Sequence, residues 1–287
     1  MSSLVFAVAG SDISAVVKQA RPRLDVEEEW LAEQDRALTE ADALRVARRI
    51  LGDAVPAVLD VDAEVFTITI ERGPASACDW KSRLMSGRVE PERAAMLGAL
   101  LREFHTQTAT LLDLEQRFDQ EVFRQLRLDP YYETSAKRNP ILSAALLRLK
   151  AQLEQRQCLV HGDFSPKNVL VDEAGGLMII DFEVAHWGNP VFDVAFMLSR
   201  LLLKSIHTPH VQALRQCALD FSHAYQDVDS STYEQVGALL IARVDGKSPA
   251  EYLDQSQRQT SHRLGTELLL HPAGSIAELW DRLALLE

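Results

Sequence analysis

Three oxygen-bearing side chains border short apolar runs in the middle of the chain. Asp163 and Asn168 share the segment His161-Gly-Asp-Phe-Ser-Pro-Lys-Asn168, and Asp181 follows the next apolar runs. Short apolar runs bounded by polar residues are typical of buried strands, so these side chains are expected at the ends of adjacent strands. Carboxylate and amide oxygens are hard ligands that suit Mg²⁺, which also takes phosphate oxygens. The pattern therefore indicates phosphoryl transfer, which needs a base for the accepting hydroxyl and neutralisation of phosphate charge.

The wider pattern around these residues resembles the aminoglycoside phosphotransferase / choline kinase family. It reads H-G-D-x-x-x-x-N at 161–168, I-D-F-E at 180–183 and G-N-P-V-F-D-V-A at 188–195. Protein kinases have Arg where Gly162 stands and D-F-G where this chain has D-F-E, so both departures favour the small-molecule branch. The resemblance covers nearly the whole chain. It implies an α+β, protein-kinase-like fold with a small strand-rich lobe and a larger helical lobe.

The resemblance also implies a role for each residue of the pattern. Asp163 matches the catalytic aspartate that accepts the hydroxyl proton, and Asn168 and Asp181 match the metal ligands. His161 matches a structural residue that ties the loop backbone, and Asp193 matches a buried aspartate that hydrogen-bonds the catalytic loop. The residues themselves support the last role, because Asp193 lies in an apolar run and an unpaired carboxylate is costly to bury.

Four further residues are candidates for the substrate site, each with a structural alternative. Lys167 could reach a terminal phosphate or lie exposed on the surface. Glu183 could face the substrate or simply occupy its loop. Arg243 and Asp245 lie in a segment, 242–252, that resembles a recurrent part of the larger lobe in this family. They could line the acceptor pocket, or they could form a structural salt bridge.

A predicted ion pair in the small lobe gives a second test of the resemblance. Lys18 ends a β-branched strand, and Glu40 falls in a helical stripe with Leu44, Ala47 and Leu51. A glutamate on an apolar face needs a cationic partner. The resemblance supplies Lys18, which would then sit on the α- and β-phosphates of a nucleotide. The alternative is a snorkelling lysine and an exposed glutamate.

The surrounding pattern predicts elements that would hold these residues. Apolar and β-branched runs predict strands, and the 3.6-residue period predicts helices. The strands are predicted at residues 4–9, 14–19, 65–70, 158–160, 169–171 and 177–180, and helices at 35–51, 91–106 and 141–153 and after Asp193. Asp35 is a plausible N-cap, the sequence around Gly10 predicts a turn, and 27–33 is an acidic loop or short helix.

We divide the chain into a nucleotide lobe, residues 1–71, and a catalytic and acceptor-binding lobe, residues 72–287. The resemblance makes the segment from Glu71 to Gly73 the hinge, whose backbone would hydrogen-bond adenine. The run 4–9 matches the family's second strand, because a short turn leads from it directly to the Lys18 strand. We therefore expect the first strand and most of the phosphate-covering loop to be absent, which would leave this lobe truncated.

Composition narrows the possible partners. The chain has 287 residues, 47% of them hydrophobic, and a formal net charge of −12. Such a charge repels phosphate backbones and anionic membranes, which argues against nucleic acid and lipid as partners. The sign of the charge agrees with a cationic substrate without requiring one. The three cysteines have no metal-like spacing, and the N-terminus lacks a signal-peptide pattern, so a cytoplasmic location is expected.

Together these observations predict a phosphotransferase that uses ATP or GTP, with Mg²⁺, to phosphorylate a hydroxyl of a small molecule. The resemblance implies an amino-sugar, a choline-like compound or a related alcohol as acceptor. One alternative is a catalytically impaired pseudokinase or binding module, suggested by the missing nucleotide loop. A second alternative is a phosphohydrolase that uses Asp163 and Asp181 on a metal ion.

Overall fold

The computed structural model describes residues 3–10, 14–23 and 30–286 and places a small sheet before a mostly helical remainder. The described part of the small lobe has an antiparallel sheet with the strand order β1-β2-β4-β3. Its elements are β1 Ser3–Ala9, β2 Ser14–Ala20, helix α1 Arg36–Leu51, β3 Val58–Asp62 and β4 Thr67–Glu71. This sheet carries Lys18 on its second strand, and α1 carries Glu40.

Helix α1 packs its predicted stripe into the core of the small lobe. Glu40, Leu44 and Ala47 are all buried, as the helical period predicted. The helix ends at Gly52, which takes a left-handed backbone conformation (φ +57°) and donates its N–H to the Arg48 carbonyl. Asp35 precedes the helix as expected but does not cap it, because its backbone is already helical (φ −62°, ψ −11°) and its side chain makes no capping bond.

Two details of the small-lobe sheet differ from the sequence prediction. The strand predicted at 65–70 begins at Thr67, because Val65 and Phe66 belong to a turn in which Phe66 has φ +52°. Strand β3 was not predicted at all, since its Asp residues interrupt the apolar pattern and its position at the sheet edge leaves it largely exposed. The predicted turn after Gly10 and residues 27–29 of the acidic segment lie outside the described residues.

The larger lobe is built mainly of helices. Its strands are β5 Cys78–Asp79, β6 Cys158–Val160, β7 Val169–Val171, β8 Leu177–Ile179 and β9 His186–Gly188. Its helices are α2 Trp80–Met85, α3 Pro91–Thr108, α4 Leu114–Arg117, α5 Glu121–Phe123, a π-helical segment Arg124–Glu133, α6 Thr134–Arg138, α7 Ser143–Leu153, α8 Val191–His207, α9 Val211–Tyr225, α10 Ser230–Asp245, α11 Gln255–Leu270 and α12 Ile276–Ala284. The strand-rich small lobe and helical larger lobe confirm the α+β prediction.

Short strands of the larger lobe hold the two loops that carry the candidate site. Strand β6 pairs with β9, and β7 pairs with β8 and β5. The loop 161–168 therefore leaves β6 and enters β7, and the loop 180–185 leaves β8 and enters β9. Helix α8 begins at Val191, two residues before Asp193 and earlier than expected, so this aspartate lies in the first helical turn.

The helices behind the loops form a continuous apolar core. The predicted stripe of α3, which includes Leu97, Gly98 and Phe104, is buried. Gly98 brings α3 against α9, because an added Cβ would lie 2.3 Å from the Phe221 carbonyl oxygen. No helix formed by the described residues is both long enough and apolar enough to cross a membrane.

Candidate active site

Asp193 fixes the start of the loop that carries Asp163. Its two carboxylate oxygens accept the backbone N–H groups of His161 (2.7 Å) and Gly162 (2.9 Å). One of these oxygens also lies 3.1 Å from Nε2 of His105. Asp193 is fully buried, and hydrogen bonds to an ionised carboxylate offset the cost of burying it. The buried partner that its apolar surroundings predicted is therefore the loop backbone, together with His105.

His161 ties the two loops together. Its Nε2 lies 3.1 Å from the Ile180 carbonyl oxygen, and its Nδ1 lies 3.2 Å from the Asp163 backbone N–H. This network assigns the proton to Nε2, which donates, and leaves Nδ1 as the acceptor. Burial lowers the pKa of His161 below its usual value, so the neutral ring holds the loops in place. This geometry supports the structural role that the resemblance implied.

The Asp163 carboxylate is surrounded by donors. One oxygen lies 2.8 Å from Nη2 of Arg127, and the other lies 2.9 Å from Nζ of Lys167 and 2.8 Å from Nδ2 of Asn168. Burial alone would raise the pKa of Asp163, but the Arg127 and Lys167 cations hold it below its usual value. Asp163 is therefore ionised at neutral pH and can accept a hydrogen bond from a hydroxyl.

Lys18 joins the two lobes at the second loop. Its Nζ lies 2.6 and 2.7 Å from the two Glu40 oxygens and 2.7 Å from Oδ1 of Asp181. Burial alone would lower the pKa of Lys18, but the Asp181 and Glu40 carboxylates raise it above its usual value. The ion pair predicted from the helical stripe is thus present, and the lysine also reaches the predicted metal ligand.

The residues beside Lys18 fit a divalent cation. Carboxylate oxygens of Glu40, Asp181 and Glu183 lie within 4.8 Å of one another. Lys18 and Arg36 supply two cations against these three carboxylates, with Arg36 Nε 3.2 Å from Glu183. The Asn168 amide nitrogen donates to Asp163, which leaves its oxygen available as a ligand. The excess carboxylate and the hard oxygen donors suit Mg²⁺.

A cavity of about 280 Å³ lies between the lobes at this point. It is lined by five of the residues that sequence analysis assigned to nucleotide or metal: Lys18, Glu71, Gly73, Asn168 and Asp181. The remaining lining is apolar, with Val5, Val16, Ile70, Leu170, Met178 and Ile180. Glu40 lies behind Lys18 and does not line the cavity. An apolar slot that ends in polar and charged groups suits a nucleotide base and its phosphates.

A second cavity, of about 320 Å³, lies on the other side of Asp163. Lys167, Glu183 and Arg243 line it together with Asp163. Oε2 of Glu183 lies 3.2 Å from Nε of Arg36, so Glu183, which lines the cavity, also forms an ion pair that links the two lobes. Arg243 donates to the carbonyl and hydroxyl oxygens of Ser248.

Asp245 does not belong to this second cavity. Its Oδ2 accepts from Nδ2 of Asn139 (2.8 Å) and lies 3.2 Å from Nε2 of His262. These partners lie at the end of α6 and in α11, and neither Asn139 nor His262 lines the cavity. Asp245 therefore does not line the second cavity, and its contacts agree with the structural alternative. Its alternative salt bridge is present, but with His262 instead of Arg243.

Two important cations were missed by sequence reasoning. Arg127, from the π-helical segment, binds Asp163 and also donates from Nε to the Gly162 carbonyl oxygen (3.0 Å). Arg36, at the start of α1, is fully buried and links that helix to Glu183 in the other lobe. Neither residue lies near a motif. The π-helical segment contains Pro130, which breaks the regular period that would have marked Arg127 as inward-facing.

Comparisons with known proteins show which family this sequence is similar to. A profile of the phosphotransferase enzyme family (APH) matches residues 1–216. The methylthioribose kinase of Pectobacterium atrosepticum is 27% identical over 265 residues, covering 82% of this chain and 66% of that protein. The methylthioribose kinase of Bacillus cereus is 26% identical over 230 residues, covering 70% of this chain and 58% of that protein. The chain thus spans about two thirds or less of the length of these relatives.

A solved structure shows the same fold. The spectinomycin phosphotransferase APH(9)-Ia, solved with ADP and spectinomycin, superposes with a TM-score of 0.54 at 14% identity, covering 99% of this chain and 90% of that one. The fold is therefore that of the two-lobed, protein-kinase-like proteins. Within that class, the chain belongs to the phosphotransferase enzyme family, which confirms the resemblance seen in the sequence.

Proposed function

We propose that the protein transfers the γ-phosphoryl group of ATP to a hydroxyl of a small molecule. One observation carries this proposal: Asp163 lines one cavity and is hydrogen-bonded at 2.8 Å to Asn168, which lines the other. A nucleotide in the interlobe cavity and an alcohol in the second cavity would meet at this pair of residues. Phosphoryl transfer requires such an arrangement, because catalysis depends mainly on positioning and charge stabilisation.

In this proposal Asp163 orients the acceptor hydroxyl and takes its proton. The hydroxyl oxygen forms a bond to the γ-phosphorus while the bond from that phosphorus to the β,γ-bridging oxygen breaks, and ADP leaves. Lys18 would bind the α- and β-phosphates, and Lys167 lies close enough to Asp163 to stabilise charge on the transferred group. When bound by Asn168 and Asp181, Mg²⁺ would neutralise phosphate charge.

The other assignments of the nucleotide site follow from the same cavity. The backbone from Glu71 to Gly73 would bind adenine, since both residues line the cavity at the end of β4. The boundary between a nucleotide lobe ending at residue 71 and a catalytic lobe beginning at residue 72 fits the chain path, which leaves the small-lobe sheet there.

Product analysis separates a transferase from the phosphohydrolase alternative. The wild-type protein is incubated with MgATP and a panel of hydroxyl compounds, and the products are analysed by mass spectrometry and ³¹P NMR. The proposal predicts an acceptor that gains one phosphoryl group in equal amount to the ADP formed. Orthophosphate released in equal amount to ADP, whatever acceptor is present, would instead identify a phosphohydrolase.

A further inference from the structure

The second cavity carries cations that have no carboxylate partner. Lys81, Arg200 and Arg243 line it. An adjoining cavity of about 60 Å³ shares these three residues and adds Lys204 and Ser165. No carboxylate within the described parts of the chain forms an ion pair with any of these four cations. A protein with a net charge of −12 therefore concentrates positive charge at this point.

The other charges around the second cavity are already paired or exposed. Arg127 and Lys167 both bind Asp163, and Glu183 binds Arg36. Glu251 lies at the rim, where it is exposed to solvent. The unpaired cations are therefore not neutralised by the carboxylates that share the cavity.

Lys204 is the most unusual member of this group. Lys204 is only 2% exposed, and its Nζ donates to the backbone carbonyl oxygen of Arg200 at 3.2 Å. A buried ammonium normally has a carboxylate partner, because removing the charge from water is costly. Here burial and the neighbouring Arg200, Lys81 and Arg243 lower the pKa of Lys204 well below its usual value, and the opposing effect of Asp79 is smaller. The structure thus holds a lysine in surroundings that oppose its charge.

Several hydrogen-bond donors beside Lys204 are also unused. Among the described residues, Oγ of Ser165, Nη1 of Arg200 and Nε of Arg243 have no hydrogen-bond partner, although all three atoms are buried. Ser165 is only 2% exposed and lines the small cavity. Buried polar groups are normally hydrogen-bonded. Unused donors next to unpaired cations are typical of a site whose missing partner is an anion.

The cationic residues are held in place by the fold. The Arg200 guanidinium lies 4.1 Å from the centre of the Phe196 ring, one turn earlier on α8. Arg243, from α10, is anchored by the Ser248 oxygens. Nearby, burial alone would raise the pKa of the Tyr131 hydroxyl, but Arg127, Arg200 and Arg243 lower it to about 8. The positive field therefore reaches the cavity that contains Asp163.

We propose that the acceptor carries an anionic group, a carboxylate or a phosphate, in addition to the hydroxyl that is phosphorylated. Ser165, Arg200, Lys204 and Arg243 would bind this group, while Asp163 faces the hydroxyl. The proposal rests on the kinase function proposed above and narrows its substrate class. It departs from the amino-sugar or choline-like acceptors that the sequence resemblance implied, since an ammonium group would meet four cations.

The phosphates of the nucleotide do not account for these cations. The interlobe cavity is lined by Lys18, Asn168 and Asp181, and it shares no lining residue with the two cavities that contain Arg200 and Arg243. An anion bound at Lys204 would therefore be a separate group from the nucleotide. Anion binding can be measured with the nucleotide site filled.

Binding of matched probes tests the proposal without requiring turnover. The full chain is titrated by calorimetry with gluconate against glucose, with glycerol 3-phosphate against glycerol, and with choline, each with and without saturating MgADP. We expect at least one anion to bind about tenfold or more tightly than its neutral counterpart, the effect expected of charged hydrogen bonds. The carboxylate and phosphate arms identify which anion the site prefers. Equal or weaker binding of both anions, or tighter binding of choline, would overturn the proposal.

The Lys204→Met variant distinguishes a lysine that binds an anion from one with a purely structural role. Replacing an unpaired buried ammonium with an apolar side chain should raise the melting temperature of the ligand-free protein. The same change should weaken anion binding about tenfold or more. Arg243→Met should weaken anion binding similarly, and Arg88→Met, which removes an exposed surface cation, should leave it unchanged. A Lys204→Met protein that melts lower and binds the anion as well as wild type would contradict the proposal.

The two proposals can fail separately. If the anion binds but MgADP does not, and no ATP is consumed, the kinase function fails while the anion site stands. If MgADP binds and a neutral or cationic acceptor is phosphorylated, the kinase function stands and the anionic acceptor is wrong.

Discussion

The chemistry of Asp163 is set by the cations that surround it. Arg127 and Lys167 contact different oxygens of its carboxylate, at 2.8 and 2.9 Å. They keep the carboxylate ionised in spite of its burial, and ionisation is what acceptance of a hydroxyl proton requires. Because the pKa lies below its ordinary value, protonation of Asp163 should not limit activity near neutral pH.

Removing the Lys167 ammonium should show how strongly the pKa of Asp163 depends on its cationic neighbours. In Lys167→Met the pKa of Asp163 rises, because one cation is lost while burial remains. The acid limb of the kcat/KM profile should therefore move to higher pH, by about one unit for a half-exposed partner. The measurement is a pH profile of acceptor phosphorylation, with Lys137→Met as a surface control. An acid limb that stays at the wild-type pH would argue against Asp163 as the titrating base.

The sequence predicted the site residues that lie within the loops 161–168 and 180–185. It did not predict the residues that contact these loops from other elements. His161, Asp163, Asn168 and Asp181 belong to contiguous motifs whose spacing is visible in the sequence. Arg127 reaches Asp163 from a segment 36 positions earlier in the numbering, on a helix of irregular period. No local pattern marks a side chain that becomes important only through tertiary packing.

At the scale of elements, the catalytic loop depends on close backbone packing at Gly162. This residue has φ +77°, and an added Cβ would lie 2.3 Å from the Val184 carbonyl oxygen. The contact brings the loop 161–168 against the loop 180–185. Asp193, from the first turn of α8, fixes the same position from the other side through two backbone bonds. Three elements therefore determine where Asp163 lies.

A pair of glycine variants separates this packing from ordinary backbone strain. Gly162→Ala and Gly175→Ala both place alanine at positive φ, but Gly175 has open space around it. The left-handed conformation alone costs roughly 1–2 kcal/mol per residue. Gly162→Ala should lose clearly more stability and most of its activity, because the two loops must separate. The measurements are the free energy of unfolding and kcat, and equal losses in the two variants would contradict this description.

The elements themselves were predicted where periodicity was strong. The stripes of α1 and α3 have the helical period, and both helices form with the expected faces buried. Strand β3 escaped prediction because an exposed edge strand needs no alternating apolar face. Asp35 failed as a cap because tertiary packing extends helical backbone angles to that residue, which sequence preference alone does not show.

At the scale of the whole molecule, the two lobes meet through buried charge. Lys18 and Arg36 come from the small lobe and bind Asp181 and Glu183 of the larger lobe. Nucleotide and metal would bind at the same junction. Composition could not have predicted the acceptor cavity, because a net charge of −12 does not describe how charges are distributed. Lys81, Arg200, Lys204 and Arg243 line two adjoining cavities, although acidic residues outnumber basic ones over the whole chain.

The interlobe charges predict an order of stability between two variants. Lys18→Met leaves Glu40, Asp181 and Glu183 close together, with Arg36 in contact with Glu183, and uncompensated buried charge costs about 3–5 kcal/mol. Glu40→Gln leaves Lys18 paired with Asp181, so it should cost less, about 1–3 kcal/mol. Denaturant unfolding measures both. A Glu40→Gln protein less stable than Lys18→Met would contradict the charge balance described for this junction.

The central claim is that Asp163 acts in phosphoryl transfer and not in holding the nucleotide. Asp163→Asn preserves the shape of the side chain and removes its ability to accept the hydroxyl proton. Asp113→Asn, at an exposed position, is the matched control. The decisive measurement compares MgATP affinity with acceptor phosphorylation in the same preparations.

We expect Asp163→Asn to bind MgATP with a Kd within about threefold of wild type while kcat falls by roughly 10²–10⁴-fold. The control should match wild type in both. An Asp163→Asn protein that binds MgATP normally and phosphorylates the acceptor at a rate near wild type would contradict the central claim.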